Sequence, residues 1–128
     1  MKAAPVAKLE ESCAQSLREA TARVTDRLAG QPAWKMSRTS QLELARLAAE
    51  YLRACGANRV WLFGSLARGR QPGVHSDFDL AFEGLPAERL VGCLGSLLQW
   101  LPLPVDLVDL ESASPQLRDR IVKEGVTV

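Results

Sequence analysis

The chain has 128 residues, 16 of them basic and 15 acidic, for a formal net charge of +1. That is the length of one ordinary domain with room for a real core, and 47% apolar with 24% charged residues is a usual globular mix. The balanced charge disfavours nucleic acid as the main partner, because non-specific binding needs a basic excess or patch. No apolar run approaches the ~18–20 residues that span a bilayer. The opening Met-Lys-Ala-Ala-Pro leads into charged sequence with no signal-peptide core, so the expected compartment is the cytoplasm. Cys13, Cys55 and Cys93 are odd in number and far apart, which fits free thiols at small apolar helix positions better than a disulfide framework or a zinc site. The single His75 cannot make a metal site alone and reads as a loop residue near the candidate site.

In chain order, residues 6–29 carry Val6, Leu9, Cys13, Leu17, Ala20, Val24 and Leu28 at steps of three and four, a helix with a narrow apolar seam. Gly30 and Pro32 stop it, and 31–39 reads as a linker whose Trp34 is a candidate interface residue. Ser40-Gln41-Leu42-Glu43 has the form of a capping box, with Leu44, Leu47, Tyr51 and Leu52 as the buried face of the helix it opens. Gly56 ends that helix. Arg59–Phe63 is apolar on both faces, as a central strand should be. A Gly-rich loop, 64–76, precedes a strand at 77–83 with Phe78, Leu80 and Phe82 on one face and Asp77, Asp79, Ala81 and Glu83 on the other. Pro86 opens a helix lined by Leu90, Leu94, Leu97, Leu98 and Leu101. Pro104–Leu110 is a strand, Ser114-Pro115 starts a helix that runs to about Lys123, and Val126–Val128 can add an edge strand.

The chemistry concentrates between residues 63 and 80. Asp77 and Asp79, two apart on a strand, point to the same face about 7 Å apart along the chain. Two carboxylates there can converge on a hard cation such as Mg²⁺, completed by water and phosphate oxygens. The bland alternative is a solvent-facing strand, but Asp is disfavoured in strands and a like-charged pair repels. Gly64 lets the backbone approach a ligand closely, and Ser65 offers a hydroxyl and an N–H to a phosphate; both also fit a plain strand-ending turn. Arg68 can meet a triphosphate tail or be a solvated loop arginine. A third acid comes from Asp106 or Asp109, which face opposite sides of their strand. Asp106, mid-strand, is costly to bury without a partner. Asp109, near the strand end, is expected to be solvated or to cap the following turn.

Phe63-Gly64-Ser65, eleven loop residues, then Asp77-Phe78-Asp79-Leu80, with Asp106 on a later apolar strand, resembles the DNA-polymerase-beta-like nucleotidyltransferase superfamily in its minimal members. The resemblance covers about residues 40–128. It implies an α/β (α+β) fold, a small mixed sheet with helices mainly on one face, here with an extra N-terminal helix. The expected division is an extension at 1–36 and a nucleotidyltransferase domain at 37–128. Two departures stand out: a loop one residue longer than the commonest minimal form, and the 1–36 segment, which the shortest members lack.

The resemblance further implies Mg²⁺ with ATP as co-substrate. Asp77, Asp79 and Asp106 would be catalytic and metal-binding, with Asp106 activating the hydroxyl, and Gly64, Ser65 and Arg68 would hold the phosphates. Minimal members are commonly paired with a small helical HEPN toxin and act as its antitoxin, placing AMP on a toxin tyrosine. The alternatives are a catalytically silent module that neutralises a partner by contact, and a subunit of a composite small-molecule nucleotidyltransferase. The seam of 1–36 is expected either to fold back on its own domain or to meet the toxin or a second copy as a homo-oligomer contact.

Overall fold

The computed structural model describes residues 3–69, 73 and 76–128. The side chain of Val6 and the whole of His75, both singled out above, lie outside the described residues. The elements are helix α1 (Ala3–Leu28), α2 (Arg38–Ala54), strand β1 (Arg59–Leu62), a one-turn helix α3 (Gly64–Ala67), β2 (Phe78–Glu83), α4 (Ala87–Trp100), β3 (Val105–Asp109), α5 (Pro115–Glu124) and β4 (Val126–Thr127).

The four strands form one mixed sheet in the order β3-β2-β1-β4. Strand β1 runs antiparallel to both β2 and β4, while β2 and β3 are parallel and joined through α4. Val60, Leu62, Phe78, Leu80 and Phe82 point to the main core, with Leu44, Leu52, Cys93 and Leu97 from α2 and α4. The opposite face carries a smaller cluster of Trp61, Ala81, Leu110 and Ile121, covered by α5. This matches the expected mixed sheet with helices mainly on one face; α5 is the exception.

The N-terminal seam is spent inside the chain. Leu17 and Ala20 are fully buried, with Val24 and Leu28 behind them, in the same core as α2. Arg27 Nη1 donates to Ser40 Oγ at 3.2 Å, and Arg89 of α4 pairs with Glu10 of α1. Leu9, the seam residue nearer the start, is exposed.

Several local details differ from the sequence expectation. The cap of α2 is Ser37, not Ser40: Ser37 is extended and its side chain accepts from Ser40 N at 3.0 Å, so the helix starts earlier and Ser40 is buried in its first turn. The 31–39 linker contains a 3₁₀ turn, Ala33–Lys35. Leu98 is exposed, because the buried line of α4 passes through Cys93 and Leu97 and the neighbouring position faces away.

Candidate functional site

The site forms where β1 ends and β2 and β3 begin. Sheet register, not proximity in sequence, builds it. Asp79 stands directly across the parallel ladder from Asp106. Side chains of paired residues share a face, and this is the face of Ala81 and Val108, beyond the edge of the cluster under α5. Asp77 precedes the first residue of β2 rather than lying within the strand as expected. Phe78 N donates to Pro104 O at 2.8 Å, which keeps the chain at Asp77 next to the entry of β3.

Asp77 and Asp106 both act on Asp79. Burial pushes the Asp79 carboxyl up to about 7; a hydrogen bond with Asp77 and the charges of Asp77 and Asp106 push the same way, and Arg68 opposes them. Asp106 is exposed, not buried in mid-strand as expected, because α5 covers only the other end of this face. Asp109 sits on the opposite side of β3. It accepts from Glu111 N at 2.9 Å and Ser112 Oγ at 3.2 Å, capping the turn after the strand.

Gly64 fits against Asp79. Its φ is +75°, and a Cβ there would lie 2.2 Å from Asp79 Oδ2 and 2.9 Å from Cγ. Rotating the carboxylate alone would not clear that overlap. Gly64→Ala is therefore expected to lower stability by about 2–4 kcal/mol, combining left-handed strain with a displaced Asp79. Denaturant unfolding checks this, and a Gly64→Ala protein of unchanged stability would contradict this packing.

After Gly64 the chain makes the single turn of α3, with Arg68 N donating to Gly64 O at 3.2 Å. Ser65 lies exposed in that turn, in line with a hydroxyl open to a ligand. Arg68 is exposed and lies 3.9 Å from Glu124 of α5. A cavity of about 160 Å³ opens here, lined by Phe63, Gly64, Arg68, Arg120 and Glu124 among others. Arg120 is a second cation on this side that the sequence reading did not single out, because its spacing on α5 looks like that of any solvated helix face.

Two further residues were missed, Arg38 and Gln41 on α2. Arg38 Nη2 donates to Leu66 O at 3.0 Å, tying α3 to α2. Gln41, 2% exposed, donates from Nε2 to Asp77 O at 3.3 Å. The available signal was a polar residue on the core face of an amphipathic helix, which is rare unless it holds something.

Among the described residues, no three carboxylate, imidazole or thiol side chains already form a closed cage for a cation. The acids instead make an open, mutually repelling set, of the kind that suits Mg²⁺ completed by water and phosphate. The neighbouring negative charge that adds to burial in raising Asp79 is what a divalent cation would relieve, so the residues present fit that ion. Among the described residues, no helix is long and apolar enough to cross a membrane.

The polymerase beta, nucleotidyltransferase profile matches residues 49–128. Among solved structures, one described as a candidate minimal nucleotidyltransferase is 25% identical with a TM-score of 0.64, covering 73% of this chain and 98% of the other. A toxin–antitoxin structure with AMP-PNP is 32% identical, TM-score 0.51, over 59% of this chain and 64% of the other. A mutant of the MntA–HpeT toxin–antitoxin is 27% identical, TM-score 0.50, over 70% of each chain. A search of curated proteins finds none that matches.

Proposed function

Because this chain belongs to the polymerase beta nucleotidyltransferase family, we propose that it transfers AMP from ATP to a hydroxyl in a Mg²⁺-dependent reaction, on a tyrosine of a partner HEPN toxin, and so acts as an antitoxin. The observation that carries the reading is the cross-strand pair Asp79–Asp106, with Asp77 coupled to Asp79 and the Gly64 backbone pressed against it. The similarity to a toxin–antitoxin structure with AMP-PNP supports the choice of nucleotide and partner.

In this reading each residue has a distinct task. Asp77 and Asp79, with Asp106 beside them, hold the metal. Mg²⁺, when bound, supplies positive charge to the phosphate oxygens and lines up the entering and leaving oxygens. The Gly64 backbone and the Ser65 hydroxyl hold the β- and γ-phosphates, and Arg68 offsets their charge. Asp106 takes the proton of the attacking hydroxyl. A bond forms from that oxygen to the α-phosphorus, the bond to the bridging oxygen breaks, and pyrophosphate leaves.

Asp106→Asn is expected to lower turnover by about 100-fold or more while changing Mg–ATP affinity by less than about threefold, as for loss of a general base. Asp109→Asn, a turn cap on the other face, should leave turnover nearly intact. Transfer of label from the α-phosphate of ATP to the partner, with calorimetry for affinity, checks both. A dead Asp109 variant beside an active Asp106 variant would reverse the assignment.

A further inference from the structure

A cavity of about 410 Å³ lies against Asp77 at the entry to β2 and β3, whereas Gly64 follows the end of β1, on the other side of β2 from β3. Its size falls within the roughly 300–1,000 Å³ of small-ligand pockets. One wall is polar, made by Ser76 and Asp77, and the rest is lined by the apolar residues Trp34, Pro102, Leu103 and Pro104 among others. The two walls are joined by the hydrogen bond from Phe78 N to Pro104 O, and Gln41 holds the Asp77 carbonyl from behind. Trp34 is half-buried, and the Lys35 ammonium lies over its ring, 5.5 Å from the centroid, which steadies the indole. Trp34 also falls outside the 49–128 stretch that the family profile matches.

Displacement at phosphorus places the attacking and leaving oxygens roughly in line. With the pyrophosphate side at Gly64, Ser65 and Arg68, the attacking hydroxyl enters from the opposite side of the acids. The segments bordering that side are those leading into β2 and β3, and they form this cavity. We propose that it is the acceptor subsite, and that Trp34 is a specificity-determining residue that packs a phenolic side chain and favours it over an aliphatic side chain. This rests on the nucleotidyl-transfer reading above and adds where the acceptor sits and which residue selects it.

The test uses the full chain with Mg²⁺ and a non-hydrolysable ATP analogue. Saturation-transfer NMR follows N-acetyl-tyrosinamide against N-acetyl-leucinamide, and calorimetry follows Mg–ATP. The expected result is a clear preference for N-acetyl-tyrosinamide, retained in Trp34→Phe and weakened about fivefold or more in Trp34→Ala and Trp34→Leu, as for loss of an aromatic pair. Mg–ATP affinity should stay within about twofold in all three. Trp34→Leu keeps apolar bulk, so it answers the question even if the Ala variant folds poorly. Equal N-acetyl-tyrosinamide binding in the wild type and Trp34→Leu overturns the subsite, as does wild-type binding no better than that of N-acetyl-leucinamide. Weakened Mg–ATP binding in Trp34→Leu assigns the cavity to the nucleobase and also overturns it. Absence of Mg–ATP binding in the wild type overturns the transfer reading itself, an outcome distinct from the others.

Discussion

Asp79→Asn is expected to make the metal-free protein more stable at pH 8 while abolishing Mg²⁺-dependent ATP binding. Burial and its acidic neighbours raise Asp79 from the ordinary 3.8 to about 7 in the folded chain. A group raised on folding contributes stability below its unfolded value and loses it as pH climbs through the folded one. The wild type without metal should therefore weaken between about pH 4 and 7, as Asp79 titrates. For a half-exposed carboxyl screened by solvent, that amounts to about 1–2 kcal/mol. The Asn variant lacks this loss, so its advantage should be small at pH 4 and full at pH 8. Mg²⁺ with ATP should stabilise the wild type and do nothing for the variant. Thermal melts at the two pH values, with chelator and with Mg–ATP, measure all of this. A stability gap that does not change with pH would show that Asp79 is not under strain from its neighbours.

Removal of residues 1–36 is expected to leave a chain that aggregates or unfolds. The seam of α1 contributes Leu17, Ala20 and Val24 to the core shared with α2 and α4, and their loss uncovers a broad apolar surface. The single substitution Leu17→Ala tests the same packing more gently. A fully buried leucine cut back to alanine should cost about 2–5 kcal/mol, read as a lower midpoint in denaturant with an unchanged slope. A truncated chain that stays folded and monomeric would mean that α1 only leans on the domain.

Most of this architecture could be read from the residues, for identifiable reasons. The helices α2, α4 and α5 carry apolar residues at steps of three and four, and β2 alternates cleanly, so the periodicity of each survives any tertiary context. The parity of β3 separated Asp106 from Asp109 before any neighbour was known. What parity could not supply was the partner: only the parallel register sets Asp106 across from Asp79. Helix α3 was missed because four residues are too few to show a period, and its Gly-Ser start looks like any turn. Ser37 and Ser40 both lie three residues before a possible partner, and the choice between them depends on backbone angles that the residue pattern does not carry. Arg38 looks like an ordinary helix residue until the turn it holds is in place, and Gln41 differs only in standing on the apolar face of α2.

The route by which Asp79 and Asp106 meet has a consequence for the order in which the molecule assembles. Strands β1 and β2 pair antiparallel, while β2 and β3 run parallel and can meet only after the chain has crossed back through α4. Such non-local pairings close late, since the loop entropy is lost before the contact is gained. A partly folded chain with only the β1–β2 pair would already present Gly64, Ser65, Asp77 and Asp79, but not the third acid in register. Its capacity to hold a nucleotide would then appear earlier in folding than its capacity to turn one over. Stopped-flow refolding followed by a nucleotide probe and by regain of transfer would separate the two as a lag.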